Sequence, residues 1–76
     1  MIDYSPFWRT LKNKNITQYA LNRKYNFSNT TLARIRKGQN INTATIDQLC
    51  KILDCKVEDI ILYVAEKNTE NKGIKL

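Results

Sequence analysis

Asn29, Thr30 and Arg34 lie within one short stretch, and each carries a side chain able to read the edge of a base. An asparagine amide pairs bidentately with adenine and an arginine guanidinium with guanine, while a threonine donates, accepts or touches a thymine methyl. Leu32 and Ile35, three positions apart, turn toward a core. At about 100° per residue, the opposite face then carries Asn29, Thr30, Ala33, Arg34 and Lys37. Each has a plainer role as well: Asn29 and Thr30 suit a helix start, and Arg34 suits a solvated surface. Groups suited to phosphate surround this face. Gln18 opens the preceding helix, where unpaired backbone N–H groups attract anions. Ser28, Thr31 and Lys37 flank the face, and Asn40 and Asn42 follow it. Phosphate contacts position a protein on a duplex without reading its sequence. The competing role of these residues is capping and turn formation. Arg23, Lys24 and Arg36 are either steering charges or solvated surface.

Two short helices with a tight break between them hold such groups outward. The first is expected over Thr17–Tyr25, with Leu21 and Tyr25 one turn apart and facing the core. Asn26 stands at the corner, where the chain needs a left-handed residue that Asn tolerates better than most. Phe27 follows the break. Ser28 is a natural N-cap for a second helix over Asn29–Lys37, and Gly38 lies just past its last apolar position, where helices commonly end. A helix-turn-helix places its second helix in the DNA major groove.

The charge distribution points to the same kind of partner. The chain of 76 residues carries a net charge of +6. Between Tyr4 and Ile46 stand Arg9, Lys12, Lys14, Arg23, Lys24, Arg34, Arg36 and Lys37, with no Asp or Glu. From Asp47 onward, bases and acids nearly balance. An electropositive half suits a polyanion. At 42% hydrophobic, the composition is that of a folded chain, and its length fits one domain near the lower limit for a self-sufficient core.

The remaining elements are expected to be helical too. Ser5-Pro6 reads as an N-cap and first helical position, giving a first helix over about Pro6–Asn13 with Phe7, Trp8 and Leu11 inward. Ile16 packs beside the start of the second. Asn42 caps a fourth helix in which Ile46, Leu49, Cys50 and Leu53 form an apolar stripe; Asp54-Cys55 ends it. A fifth helix begins near Lys56 or Val57 and buries Val57, Ile60, Ile61 and Val64, with Glu58 and Asp59 in its first turn. No strand pattern is evident. The domain is expected over 1–65, with a flexible polar tail over 66–76.

At these residues the chain resembles the Cro/repressor-type (XRE-like) helix-turn-helix family. Thr17 and Gln18 match the family's usual opening of the first motif helix; Leu21, the turn, Ser28, Leu32, Ile35 and Gly38 continue the match. The resemblance is to a small single-domain subgroup in which TLAxxxKG (Thr31, Leu32, Ala33, Lys37, Gly38) precedes a helix containing LCKxLxC (Leu49, Cys50, Lys51, Leu53, Cys55). It covers roughly residues 4–64. Asn22 stands where the family usually has an Ala packed on the second motif helix, and Asn26 replaces the usual turn Gly. The resemblance implies an all-α, five-helix lambda-repressor-like DNA-binding domain. It also implies a transcriptional regulator that binds as a homodimer on near-palindromic sites. The apolar surfaces open to dimerisation are the fifth helix, Tyr63 and the Ile74–Leu76 end.

Other chemistries fit poorly. The chain has no His, and two thiolates alone make a poor zinc site. Cys50 lies on the apolar stripe and suits a buried small hydrophobe. Tyr4, Phe7 and Trp8 offer a stacking platform for single strands, but their helical spacing suits core packing. Gly38 and Gly73 are the only glycines, so no phosphate-cradling glycine loop exists, and neither catalysis nor a cofactor or metal is expected. The start MIDYSPFW lacks the pattern of a signal peptide, and the two cysteines then suit free thiols in a reducing cytoplasm. The partner expected is double-stranded DNA, with no membrane and no small-molecule effector. Two rival readings keep the fold: a protein-interaction module, antitoxin-like or a phage-encoded inhibitor, and a nonspecific nucleic-acid binder.

Overall fold

The structure is a computed structural model that describes residues 1–65. In chain order it comprises β1 (Ile2–Asp3), α1 (Ser5–Asn13), α2 (Gln18–Tyr25), α3 (Asn29–Arg36) and α4 (Thr43–Leu53). A single 3-10 turn (Val57–Asp59) and β2 (Leu62–Tyr63) complete the described chain. The tail expected over 66–76, including the Ile74–Leu76 end, lies outside the described residues.

Local chemistry accounts for the helix boundaries. Thr17 Oγ1 accepts from the Ala20 N–H at 3.0 Å and caps α2; Ser28 Oγ accepts from the Thr31 N–H at 3.2 Å and caps α3. Asn42 Oδ1 takes the Thr45 N–H at 2.9 Å and caps α4. Each satisfies an otherwise orphaned helical donor. Asn26 ends α2 in the left-handed region (φ 59°, ψ 31°), as the turn required. Gly38 at φ 73° ends the α3 segment; its N–H donates to the Ile35 carbonyl at 3.0 Å and the Gln39 N–H to the Arg34 carbonyl at 2.9 Å. This closure needs a residue at ease with positive φ.

The start of α1 differs from expectation. The Ser5 N–H and hydroxyl both donate to the Asp3 carboxylate, at 3.0 and 2.7 Å. Ser5 therefore enters the helix, and Tyr4 takes the cap position without a side-chain cap bond.

One core joins all the helices: Tyr4, Phe7, Leu11, Leu21, Phe27, Leu32, Ile35, Leu49, Leu53 and Ile60. Trp8, Ile16, Cys50 and Ile61 pack half-buried around it. Tyr4, Phe7 and Trp8 thus serve packing, with Phe7 and Trp8 edge to face at 4.8 Å. Tyr25 does not join them. It is 41% exposed, because the left-handed bend at Asn26 swings Phe27 inward to fill the position, leaving Phe27 1% exposed.

The fifth helix is replaced. After the 3-10 turn the chain extends, and Leu62 and Tyr63 pair antiparallel with Asp3 and Ile2. Ile60 is buried as expected, but Val57 is 51% and Val64 39% exposed. The run Ile60–Val64 is rich in β-branched and aromatic residues, which suit a strand once a partner exists. The N-terminus supplies that partner: the Met1 amine donates to the Val64 carbonyl at 2.6 Å, and the Val64 N–H to the Met1 carbonyl at 2.8 Å. The described chain therefore has four α-helices and a two-stranded ribbon. No helix among the described residues is long and apolar enough to cross a membrane.

Candidate nucleic-acid interface

The turn between α2 and α3 is braced from both sides. The carbonyl of Leu21 accepts the Phe27 N–H at 3.0 Å. Asn22, the residue out of place in the family pattern, donates its side-chain amide to the Phe27 carbonyl at 2.9 Å. A hydrogen bond across the bend thus stands where a small side chain was expected. With Leu32 and Ile35 buried beneath it, α3 presents Asn29, Thr30 and Arg34 to solvent; the helix ends at Arg36, one residue before the expected end, and exposed Lys37 is its C-cap. The Arg34 guanidinium has no partner among the described residues.

Beside this face runs an open cleft lined by Ser28, Thr30, Thr31, Arg34, Asn40, Ile41, Asn42 and Thr45. It gathers one expected base-reading pair, Thr30 and Arg34, with four expected phosphate contacts, Ser28, Thr31, Asn40 and Asn42. Lys37 and Asn29 lie exposed outside the cleft on or beside α3. Gln18 also stands apart from the cleft. Its side-chain oxygen accepts from Arg36 Nη1, which ties the start of α2 to the end of α3 and leaves the Gln18 NH₂ to donate.

Capping does not exhaust these side chains. Ser28 uses its oxygen as acceptor toward Thr31, so its hydroxyl proton remains to donate. Asn42 Oδ1 accepts from both the Thr45 N–H and, at 3.0 Å, the Thr45 hydroxyl; its NH₂ keeps both donors. Two capping residues therefore offer donors at the mouth of the cleft.

Sequence reasoning passed over several positioning groups. Tyr4, 5% exposed, donates its hydroxyl to the Gln39 carbonyl at 2.6 Å and sits against the backbone of Ile41. It pins the loop that carries Asn40 and Asn42. Burial raises the Tyr4 phenol above its ordinary value, and the Ile41 backbone opposes that shift. Thr45 and Ile41 complete the cleft wall. The helix caps had a local signal; the partnership of Tyr4 with a loop 35 positions away had none.

All eight cations of the basic half are exposed, and Arg23 lies 5.8 Å from the centre of the Tyr19 ring. The Asp47–Lys51 ion pair, at 3.4 Å, lies on α4 beyond that half. No group of three or more His, Cys, Asp or Glu among the described residues is placed to hold a metal.

Comparison with known proteins gives concordant results. The family model for the Cro/C1-type HTH DNA-binding domain matches residues 7–66. A solved structure, that of the transcriptional regulator VanUg (Form II), is similar at a TM-score of 0.76 and 25% identity, covering 86% of this chain and 87% of that one. A comparison with curated proteins found no match.

Proposed function

The chain belongs to the Cro/C1-type HTH DNA-binding domain family, and from that premise we propose that it regulates transcription by reading a specific duplex sequence with α3 in the major groove. Arg34 meets a guanine edge, and Asn29 and Thr30 meet neighbouring bases. Gln18, Ser28, Thr31, Lys37, Asn40 and Asn42 hold the flanking phosphates, with α2 lying across the backbone. Two copies bind a near-palindromic site with half-sites about one helical turn apart. Its place is the cytoplasm, with its DNA.

The observation that carries this reading is the convergence of Arg34 and Thr30 with four donor-bearing polar residues on one open cleft. The surrounding stretch supplies cations and no carboxylate. A surface evolved for a protein partner alone has no need of that imbalance. The resemblance to a transcriptional regulator over most of both chains supports the same reading.

Selection of bound duplexes from a random pool tests it. The expected result is an enriched motif with two-fold symmetry. Arg34→Ala then costs about 1–3 kcal/mol, chiefly on the selected site, while Lys37→Ala weakens all duplexes alike. The logarithm of affinity falls against the logarithm of salt with a slope of about −0.9 per phosphate contacted. No binding at low salt would favour a protein-interaction module, and equal affinity for unrelated duplexes a nonspecific binder.

A further inference from the structure

At the end of α4 remote from the cleft, Asp54 stops the helix in the left-handed region (φ 51°, ψ 59°). The Cys50 carbonyl accepts the Asp54 N–H and also, at 3.1 Å, the Cys55 N–H. A stop of this form is frequently accompanied by a contact between the side chains at its two ends, here residues 50 and 55. That contact is ordinarily between hydrocarbons. Here both partners are thiols, both free and half-buried. Both also line one open groove together with Ile46, Val57 and Ile61, and Cys50 acts on Cys55 as an electrostatic neighbour and hydrogen-bonding partner.

We propose that Cys50 and Cys55 form a reversible dithiol–disulfide site that exchanges with low-molecular-weight disulfides entering through this groove. Burial pushes the Cys55 thiol up to about 11, with Cys50 and Asp59 adding to the effect. Its thiolate is therefore scarce near neutral pH, and Cys50 attacks first. The Cys50 thiolate bonds to one sulfur of RS–SR and expels RS⁻, which takes up the proton that Cys50 lost. The electrostatic influence of Cys50 on Cys55 ends once that sulfur is neutral in the mixed disulfide. Cys55 then gives up its proton and attacks the Cys50 Sγ, and the second RS⁻ leaves with that proton. The two protein thiols are oxidised by two electrons, one small disulfide is reduced to two thiols, and the ring closes across the helix stop.

The test equilibrates the whole chain with reduced and oxidised glutathione, traps free thiols by alkylation and weighs the products, in native buffer and in concentrated guanidinium chloride. The expected native product lacks two hydrogens and carries no glutathione. Its effective concentration for ring closure exceeds that of the unfolded chain by at least about tenfold, because the helix stop holds the sulfurs together. In Cys55→Ser, glutathione is trapped at position 50. Equal closure in the native and unfolded chains would overturn the proposal, and so would stable glutathione adducts on the unmutated native protein.

Discussion

Tyr4→Phe isolates a single long-range hydrogen bond that links core to cleft. The ring of Tyr4 is buried, and its hydroxyl donates to the Gln39 carbonyl at 2.6 Å. Phenylalanine keeps the ring and removes the oxygen alone. A neutral hydrogen bond contributes about 0.5–1.5 kcal/mol net; Gln39 is exposed, so water can replace the lost donor, and the expected cost is about 1 kcal/mol. In a domain of this size that lowers Tm by about 4–8 °C, read by circular dichroism. The loop from Gln39 to Asn42 then loses its anchor, and DNA affinity falls on selected and unrelated duplexes alike, since Asn40 and Asn42 are assigned to phosphates. The difference also depends on pH in one direction. The native phenol is raised above 10.0, so the Tyr4 contribution is whole below pH 10.0 and is lost as pH rises through the native value. Wild type and Tyr4→Phe therefore converge in alkali. An unchanged Tm together with unchanged affinity would refute the anchoring role.

Leu32→Ala, at a position 1% exposed, is expected to cost about 2–5 kcal/mol in denaturant unfolding, whereas Leu32→Met costs less than about 1.5 kcal/mol; equal tolerance of both would contradict the inward placement of Leu32. At Gly38 an added Cβ meets nothing within 4 Å, so the cost of Gly38→Ala, about 1–2 kcal/mol, comes from φ 73° alone. Gly38→Asn recovers most of that loss, and an alanine as stable as glycine would show that the helix stop does not require positive φ. The two Ser5 hydrogen bonds hold the Asp3 carboxyl below its ordinary 3.8. Its stabilisation is therefore present above pH 3.8 and lost as pH falls through the lowered native value. The Tm gap between wild type and Asp3→Asn should close over that acid range; a gap constant down to the lowest pH would mean that Asp3 titrates normally.

What was legible in the sequence separates by distance along the chain. Thr17, Ser28 and Asn42 cap the next helices because a short side-chain oxygen reaches an N–H three residues on. Asn26 and Gly38 take positive φ because of what stands on their own α-carbons. Such signals need only a few residues of context, and the helix-turn-helix was readable because it is assembled almost wholly from them. The signals that failed depend on remote partners. Ile60–Val64 satisfies a helical apolar pattern as well as an extended one, and the strand wins only because Ile2 and Asp3, about sixty positions away, supply backbone partners. Tyr25 stood on the correct face for burial, yet Phe27 took the space after the bend. Asn22, Tyr4 and Arg36 each act through a partner that no local pattern names. The proposed base readers are legible by the same logic as the caps: their helical phase follows from Leu32 and Ile35. The cleft beside them is not, because the loop of Asn40 and Asn42 is carried there by a phenol from the other end of the basic half. Binding at the proposed site then depends on two kinds of residue, base readers whose phase α3 sets and phosphate contacts whose position the core imposes. Substitutions in the core beneath Tyr4 should therefore alter phosphate contacts before they alter base preference.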